Sequence, residues 1–249
     1  MNLLLFEPKE INRDDTVCLQ DRRSQHIIKI LGSKPGDTIR AGVINGPVGT
    51  GEILAIRGKG KNAEVVLHFS AQAGEPDLPA VDLIMGLVRP IMLKRVLAQV
   101  TSMGVGRIFL LNGNRVEKSF FGASLLQDEN YRPYLVQGLE QAKDTRLPPV
   151  TIHGRFKPFI EDFIPTVAGD YERMLVAHPD GSANLKQILG TDIKGRTLLA
   201  VGPEGGWVDF EVRKFIEHSF VPVSLGRRVL RTDTAAVALL AQLMLLRQQ

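Results

Sequence analysis

The chain has 249 residues, enough for one large domain or two ordinary ones, with 44% hydrophobic and 23% charged residues. This is a globular balance, and no segment reaches the ~20 apolar residues of a membrane span, so no membrane association is expected. The formal net charge of +4 favours an anionic partner such as RNA, with a mildly basic solvated surface as the plain alternative.

In chain order, the first residues, Met1 to Pro8, lack a basic lead, and their apolar run is too short for a secretory segment. Cys18 is the single cysteine, which excludes an intramolecular disulfide and a cysteine metal cluster; both points fit a cytoplasmic protein. From Thr16 to about Ser70, short strands are expected at Val17–Leu19, Asp37–Ala41, Gly51–Ile56 and Asn62–Phe69, punctuated by Gly32, Pro35-Gly36, Asn45-Gly46-Pro47 and Arg57 to Lys61. One helix is expected at Ser24 to Leu31, with His26, Ile27, Ile30 and Leu31 on one face. This reads as a small β-barrel, residues 1–72. A small, polar, proline-containing stretch near residues 71–79 marks the boundary to a second domain, residues 73–249.

In that second domain strands alternate with helices, the pattern of an α/β layer with a mostly parallel sheet. Strands are expected at Val81–Val88, Arg107–Leu111, near Val150, at Arg173–Ala177, Thr197–Val201 and Phe220–Leu225. Helices are expected at Ile91–Met103, about Asp128–Thr145, near Pro158–Ile164, Asp209–His218 and Thr234–Arg247. The last helix is apolar almost all round, which fits a homodimer interface or an enclosed core helix equally well.

In an open α/β sheet, ligands bind beyond the carboxyl ends of strands. Two loops fall there. One is Gly202-Pro203-Glu204-Gly205-Gly206; the other is Ser224-Leu225-Gly226, continuing through Arg227, Arg228 and Arg231 to Thr232-Asp233-Thr234, which reads as a helix N-cap. Glycines admit a flat ligand close to the backbone, although two ordinary glycine turns would look the same. Glu204 disfavours a phosphate in the first loop. The arginines of the second suit an RNA phosphate or base edge, with a solvated basic turn as the alternative. There is no phosphate-binding P-loop motif and no nucleophile elbow, and His26, His68, His153, His178 and His218 lack metal-ligand spacing, so no metal is expected.

Taken together, Val201 to Gly206 and Val223 to Ala235, in this order near the C-terminal end, resemble the 16S ribosomal RNA uridine-N3 methyltransferases of the SPOUT superfamily. Met103 to Phe109, Glu140-Gln141 with Arg146 and Pro148, and His26 to Ile28 with Gly36-Asp37 extend the resemblance over most of the chain. It implies a PUA-like β-barrel followed by an α/β domain with a C-terminal trefoil knot. It also implies a homodimer, S-adenosylmethionine as methyl donor, and the small ribosomal subunit as partner. By position, Leu199, Val201, Gly202, Gly205, Leu225, Gly226, Leu230, Thr234 and Ala235 would line the cofactor pocket. Arg22, Arg23, Arg57, Lys59, Lys61, Arg227 and Arg228 would contact RNA, and Arg231 would position it. Asp233 stands where the family more often has glutamate.

Methyl transfer to uracil N3 needs orientation, exclusion of water and removal of the imide proton. Glu204 is the candidate base or cofactor contact, with a loop brace as the third possibility, and Arg231 would stabilise charge on a uracil carbonyl. A methyltransferase acting on another RNA site, or a non-catalytic assembly factor that only binds RNA, are the rival readings.

Overall fold

The computed structural model describes residues 2–58, 60–72, 74, 79–181, 183–190 and 193–247. The chain folds as two compact units. The first comprises Met1–Asp77 with Val136–Leu147, and the second comprises Leu78–Leu135 with Pro148–Gln249.

The first unit is built on β1 (Leu4–Phe6), β2 (Thr16–Leu19), β3 (Thr38–Val43), β4 (Val48–Arg57) and β5 (Glu64–Ala71), in the order β1-β3-β4-β5-β2. β1 runs parallel to β3, and the other neighbours are antiparallel, with a register shift in β4 between Ile53 and Ala55. Alternate residues, including Val17, Leu19, Val65 and Leu67, point into one core with Phe6 and Ile53. Helix α1 (Arg22–His26) is capped by Asp21, whose side chain accepts from Arg23 N. It runs into a widened turn over Ile27–Leu31, closed when Gly32 N donates to Ile27 O. The wider turn changes the angular step. Ile27 is buried, whereas Ile30 is 71% exposed, so the face expected to unite Ile27 with Ile30 and Leu31 does not form.

Residues 136–147 join this unit through specific bonds: Asn45 N donates to Thr145 O at 2.7 Å, and Thr145 Oγ1 donates to Gly46 O at 2.7 Å. Glu140 is buried and takes a two-point ion pair from Arg22, at 2.7 and 3.1 Å. Its backbone carbonyl accepts from Asn2 and Leu3.

The second unit is an α/β layer. Its strands are β6 (Val81–Gly86), β7 (Ile108–Leu111), β8 (Val150–His153), β9 (Arg173–Ala177), β10 (Thr197–Val201) and β11 (Val221–Val223). All pair in parallel, in the order β11-β9-β10-β6-β7-β8. β6, β7 and β10 are buried at every position, as expected of central parallel strands covered on both faces. The helices are α2 (Pro90–Ser102), α3 (Lys118–Phe121), α4 (Asp128–Ala142), whose residues from Val136 onward belong to the first unit, α5 (Phe156–Pro158), α6 (Ile164–Val167), α7 (Leu185–Leu189), α8 (Asp209–Glu217) and α9 (Thr232–Arg247). Leu93, Val96, Leu97 and Val100 form the buried stripe of α2 at the expected i, i+3, i+4, i+7 spacing. Aromatic residues Phe109, Phe159, Trp207, Phe215 and Phe220 fill one core beside β10. The last helix starts two residues before its expected position, so Asp233 lies in its first turn rather than in a cap, and pairs with Arg95 of α2. Among the described residues no helix is long and apolar enough to cross a membrane.

Candidate active site

Strand order decides where a site forms. β6 opens the unit in mid-sheet, with β7 on one side and β10, reached much later in the chain, on the other. The order therefore reverses between them, and such a switch point leaves a crevice beyond the carboxyl ends.

The loop after β10 is held on three sides. Gly206 N donates to Pro203 O at 2.8 Å, closing a turn that needs the left-handed backbone of Gly206, φ 71°. Thr232 Oγ1, at the start of α9, donates to Gly202 O at 3.1 Å. Glu204 Oε1 accepts from Arg89 N, in the loop after β6, at 3.1 Å. The loop after β11 is fixed in a similar way: Ser224 N donates to Ala183 O, Ser224 Oγ donates to Pro179 O, and Gly226, φ 107°, donates to Ser224 Oγ.

Between these loops lies a cavity of about 310 Å³. Of the residues expected at the cofactor, Val201, Gly202, Gly205, Leu225, Gly226, Leu230 and Ala235 line it, and Glu204 and Arg228 are on its wall. Leu199 and Thr234 are not. Leu199 is fully buried inside β10, two residues short of the carboxyl end, and Thr234 is exposed on α9. Thr232 and Ala235, three apart on one helix face, take the place that Thr234 was expected to hold. Arg227 and Arg231 are exposed and off the wall. The wall also includes residues that the sequence reading passed over: Arg115 after β7, Ala177, His178 and Pro179 at the end of β9, and Trp207. Their common signal is position just after a parallel strand, which becomes usable only once strand order is known.

The chain matches the model of the RNA methyltransferase domain over residues 75–244. It is 32% identical, over 96% of its length and 88% of the relative's, to ribosomal RNA small subunit methyltransferase E of Treponema pallidum. Its identity to ribosomal RNA small subunit methyltransferase E 1 of Borreliella burgdorferi is 27%, covering 96% of this chain and 95% of that one. The chain belongs to this RNA methyltransferase family. Its fold matches the crystal structure of ribosomal RNA small subunit methyltransferase E from Neisseria gonorrhoeae bound to S-adenosyl methionine, with a TM-score of 0.77, 22% identity and coverage of 99% and 98%.

The first-unit arginines expected to contact RNA, Arg22, Arg23 and Arg57, each have a carboxylate partner inside the unit. Arg22 is bound to Glu140. The Arg23 side chain is 12% exposed; it is ion-paired with Glu10 and Asp21 and donates to Leu5 O at 2.9 Å. That places Arg23 in the frame of the unit rather than on an open RNA-facing surface. Its hydrogen bonds hold the Glu10 carboxyl below the ordinary glutamate range. Arg57 is exposed and donates to Glu64 at 3.1 Å. Lys59 and the side chain of Lys61 lie outside the described residues.

Proposed function

We propose that the protein transfers a methyl group from S-adenosylmethionine to N3 of a specific uridine of 16S ribosomal RNA in the assembled small subunit. The glycine-lined cavity beyond β9, β10 and β11 carries this reading. Its volume lies at the lower end of the small-molecule range. Val201, Leu225, Leu230 and Ala235 supply apolar wall for an adenine and a thioether chain, and Gly202 allows close approach. A Cβ added to Gly202 would stand 3.1 Å from Gly206 Cα and Trp207 N.

When bound, the cofactor supplies a methyl group on a sulfonium centre. The chain's own part is to orient the uracil, exclude water and take up the imide proton. Glu204 is our candidate for that proton's acceptor, and two facts support it: one carboxylate oxygen accepts from Arg89 N, and the residue lies on the cavity wall. Arg231, exposed just before α9, would position RNA, with Arg227 and Arg228 on the same loop. We read the first unit as the PUA-like barrel that adds an RNA contact, the chain from β10 onward as the trefoil knot, and the protein as a cytoplasmic homodimer packed partly through α9. The dimer reading is supported by Leu245, 60% exposed, and Met244, 39% exposed, large apolar side chains near the end of α9.

The test is incubation with labelled S-adenosylmethionine and unmodified small subunits, followed by nucleoside mapping. Label at N3 of one uridine is the expected result; label only on transfer RNA, or none, overturns it. Glu204→Gln should depress transfer far more than cofactor affinity, and equal losses would reduce Glu204 to a cofactor contact or loop brace. Arg231→Ala should weaken engagement of the subunit with the fold retained; unchanged turnover would remove that role.

A further inference from the structure

Arg115 and Arg228 line the cavity and Arg231, just before α9, lies off its wall; among the described residues none of the three meets a carboxylate. Arg115 differs from the other two in being fixed. Its Nη1 donates to the Gly205 carbonyl, and its stem lies against Gly205. A Cβ added to Gly205 would stand 2.9 Å from Arg115 Cβ and 3.0 Å from its Cδ, so glycine at 205 is what lets the arginine lie there.

The turn that carries Arg115 is itself clamped. Glu211 of α8, 2% exposed, accepts from Asn114 N at 2.7 Å and from Val208 N at 2.9 Å. A buried carboxylate is thus spent on holding the backbone of the residue next to Arg115. One guanidinium donor goes to Gly205, and the others have no partner among the described residues. Arg228, also on the wall, sits on the turn before α9 with no side-chain bond among the described residues.

We propose that Arg115 is a catalytic residue that hydrogen-bonds a uracil carbonyl next to N3 and stabilises the anion formed as N3 gives up its proton. This rests on the function proposed above. The imide proton leaves N3 for the base or solvent, and the freed electron pair forms the bond from N3 to the methyl carbon. The carbon–sulfur bond breaks with its pair kept by sulfur, leaving a neutral thioether. Arg115 takes no part in the proton transfer; its guanidinium acts as a hydrogen-bond donor and a charge. A donor held in place before the reaction needs no reorganisation as charge develops, which is where such groups act most strongly.

Arg115→Met keeps the aliphatic stem on Gly205 and removes the cation. We expect kcat on unmodified subunits to fall about a hundredfold at neutral pH, with recovery at alkaline pH, where uracil N3 loses its proton unaided. Calorimetric affinity for S-adenosylmethionine, KM for subunits and melting temperature should stay at wild-type values. Arg115→Lys should recover part of the loss. An unchanged kcat overturns the proposal, as does a loss equal at every pH or one carried by cofactor affinity or by KM alone. If the wild-type protein places no methyl on uridine N3, the functional reading fails and Arg115's role with it; an active wild type matched by Arg115→Met removes only Arg115.

Discussion

At the amino end of the six-stranded sheet, Asp82 of β6 is fully buried and takes Arg107 Nε at 2.9 Å, Arg196 Nη2 at 2.7 Å and the Tyr171 hydroxyl at 2.6 Å. At the carboxyl end, Arg115, Arg228 and Arg231 meet no carboxylate among the described residues, and Glu204 accepts from a backbone amide instead of a cation. The same residue types thus serve two purposes. Where every charge is matched within the fold, nothing is left over for a ligand, and burial together with the bond to Asp82 pushes the Tyr171 hydroxyl above its ordinary range. Where glycines replace side chains and cations stay unmatched, the fold forgoes local stabilisation and keeps donors available.

The largest expected effect separates the two ends. Asp82→Ala leaves Arg107, Arg196 and Tyr171 without their shared acceptor, and losing one side of a buried ion pair costs about 3–5 kcal/mol. Both arginines are partly exposed and can rehydrate, which favours the lower figure. Urea unfolding should show the loss, while calorimetric affinity for S-adenosylmethionine, measured well below the transition, stays unchanged. Affinity falling in step with stability would mean that the two ends are not independent.

Gly86→Ala should act at the carboxyl end, on affinity as well as on stability. An added Cβ would stand 2.3 Å from Pro203 Cδ and 2.5 Å from Pro203 N, and backbone cannot yield as a side-chain tip can. The loop from Gly202 to Gly206 must shift. Overpacking of this kind costs about 1–3 kcal/mol in stability, and we expect cofactor affinity to drop roughly tenfold, the equivalent of ~1.4 kcal/mol. Wild-type affinity in a folded variant would show that this loop does not shape the site.

Much of the second unit is legible in the sequence because its signals are local. The buried run Thr197 to Val201 and the glycines after it mark a strand end and a loop within ten residues of one another. The stripe on α2 is likewise readable by spacing alone. Arg115 was not legible: it is ninety residues from Gly205 in sequence and becomes a neighbour only through the strand order. Asp82 looks like an odd polar residue in an apolar strand until Arg107, Tyr171 and Arg196 are brought to it. The first unit shows the same limit. Glu140 and Thr145 sit on a segment that reads as part of the second domain, yet their partners are Arg22 and Gly46. Strand β1 has three residues and lies in an apolar run too brief to distinguish strand from helix by period.

The smallest expected effect tests the bond that ties the last helix to the first glycine loop. Thr232 is buried, and its Oγ1 donates to Gly202 O at 3.1 Å. Thr232→Val keeps the branched shape and removes the donor, so a partly buried carbonyl loses this partner while packing is nearly unchanged. A net loss of about 1 kcal/mol in unfolding free energy is expected. Because Gly202 and Thr232 both line the cavity, the loss should also appear as several-fold weaker binding of S-adenosylmethionine. Lowered stability with unchanged binding would assign Thr232 to the amino end's way of using polar groups, as a matched pair internal to the fold; weakened binding with nearly unchanged stability would place it wholly with the ligand. Equal shares would mean that at the carboxyl end the bond holds the helix start and the loop together in the empty protein and that the shape of the cavity depends on it.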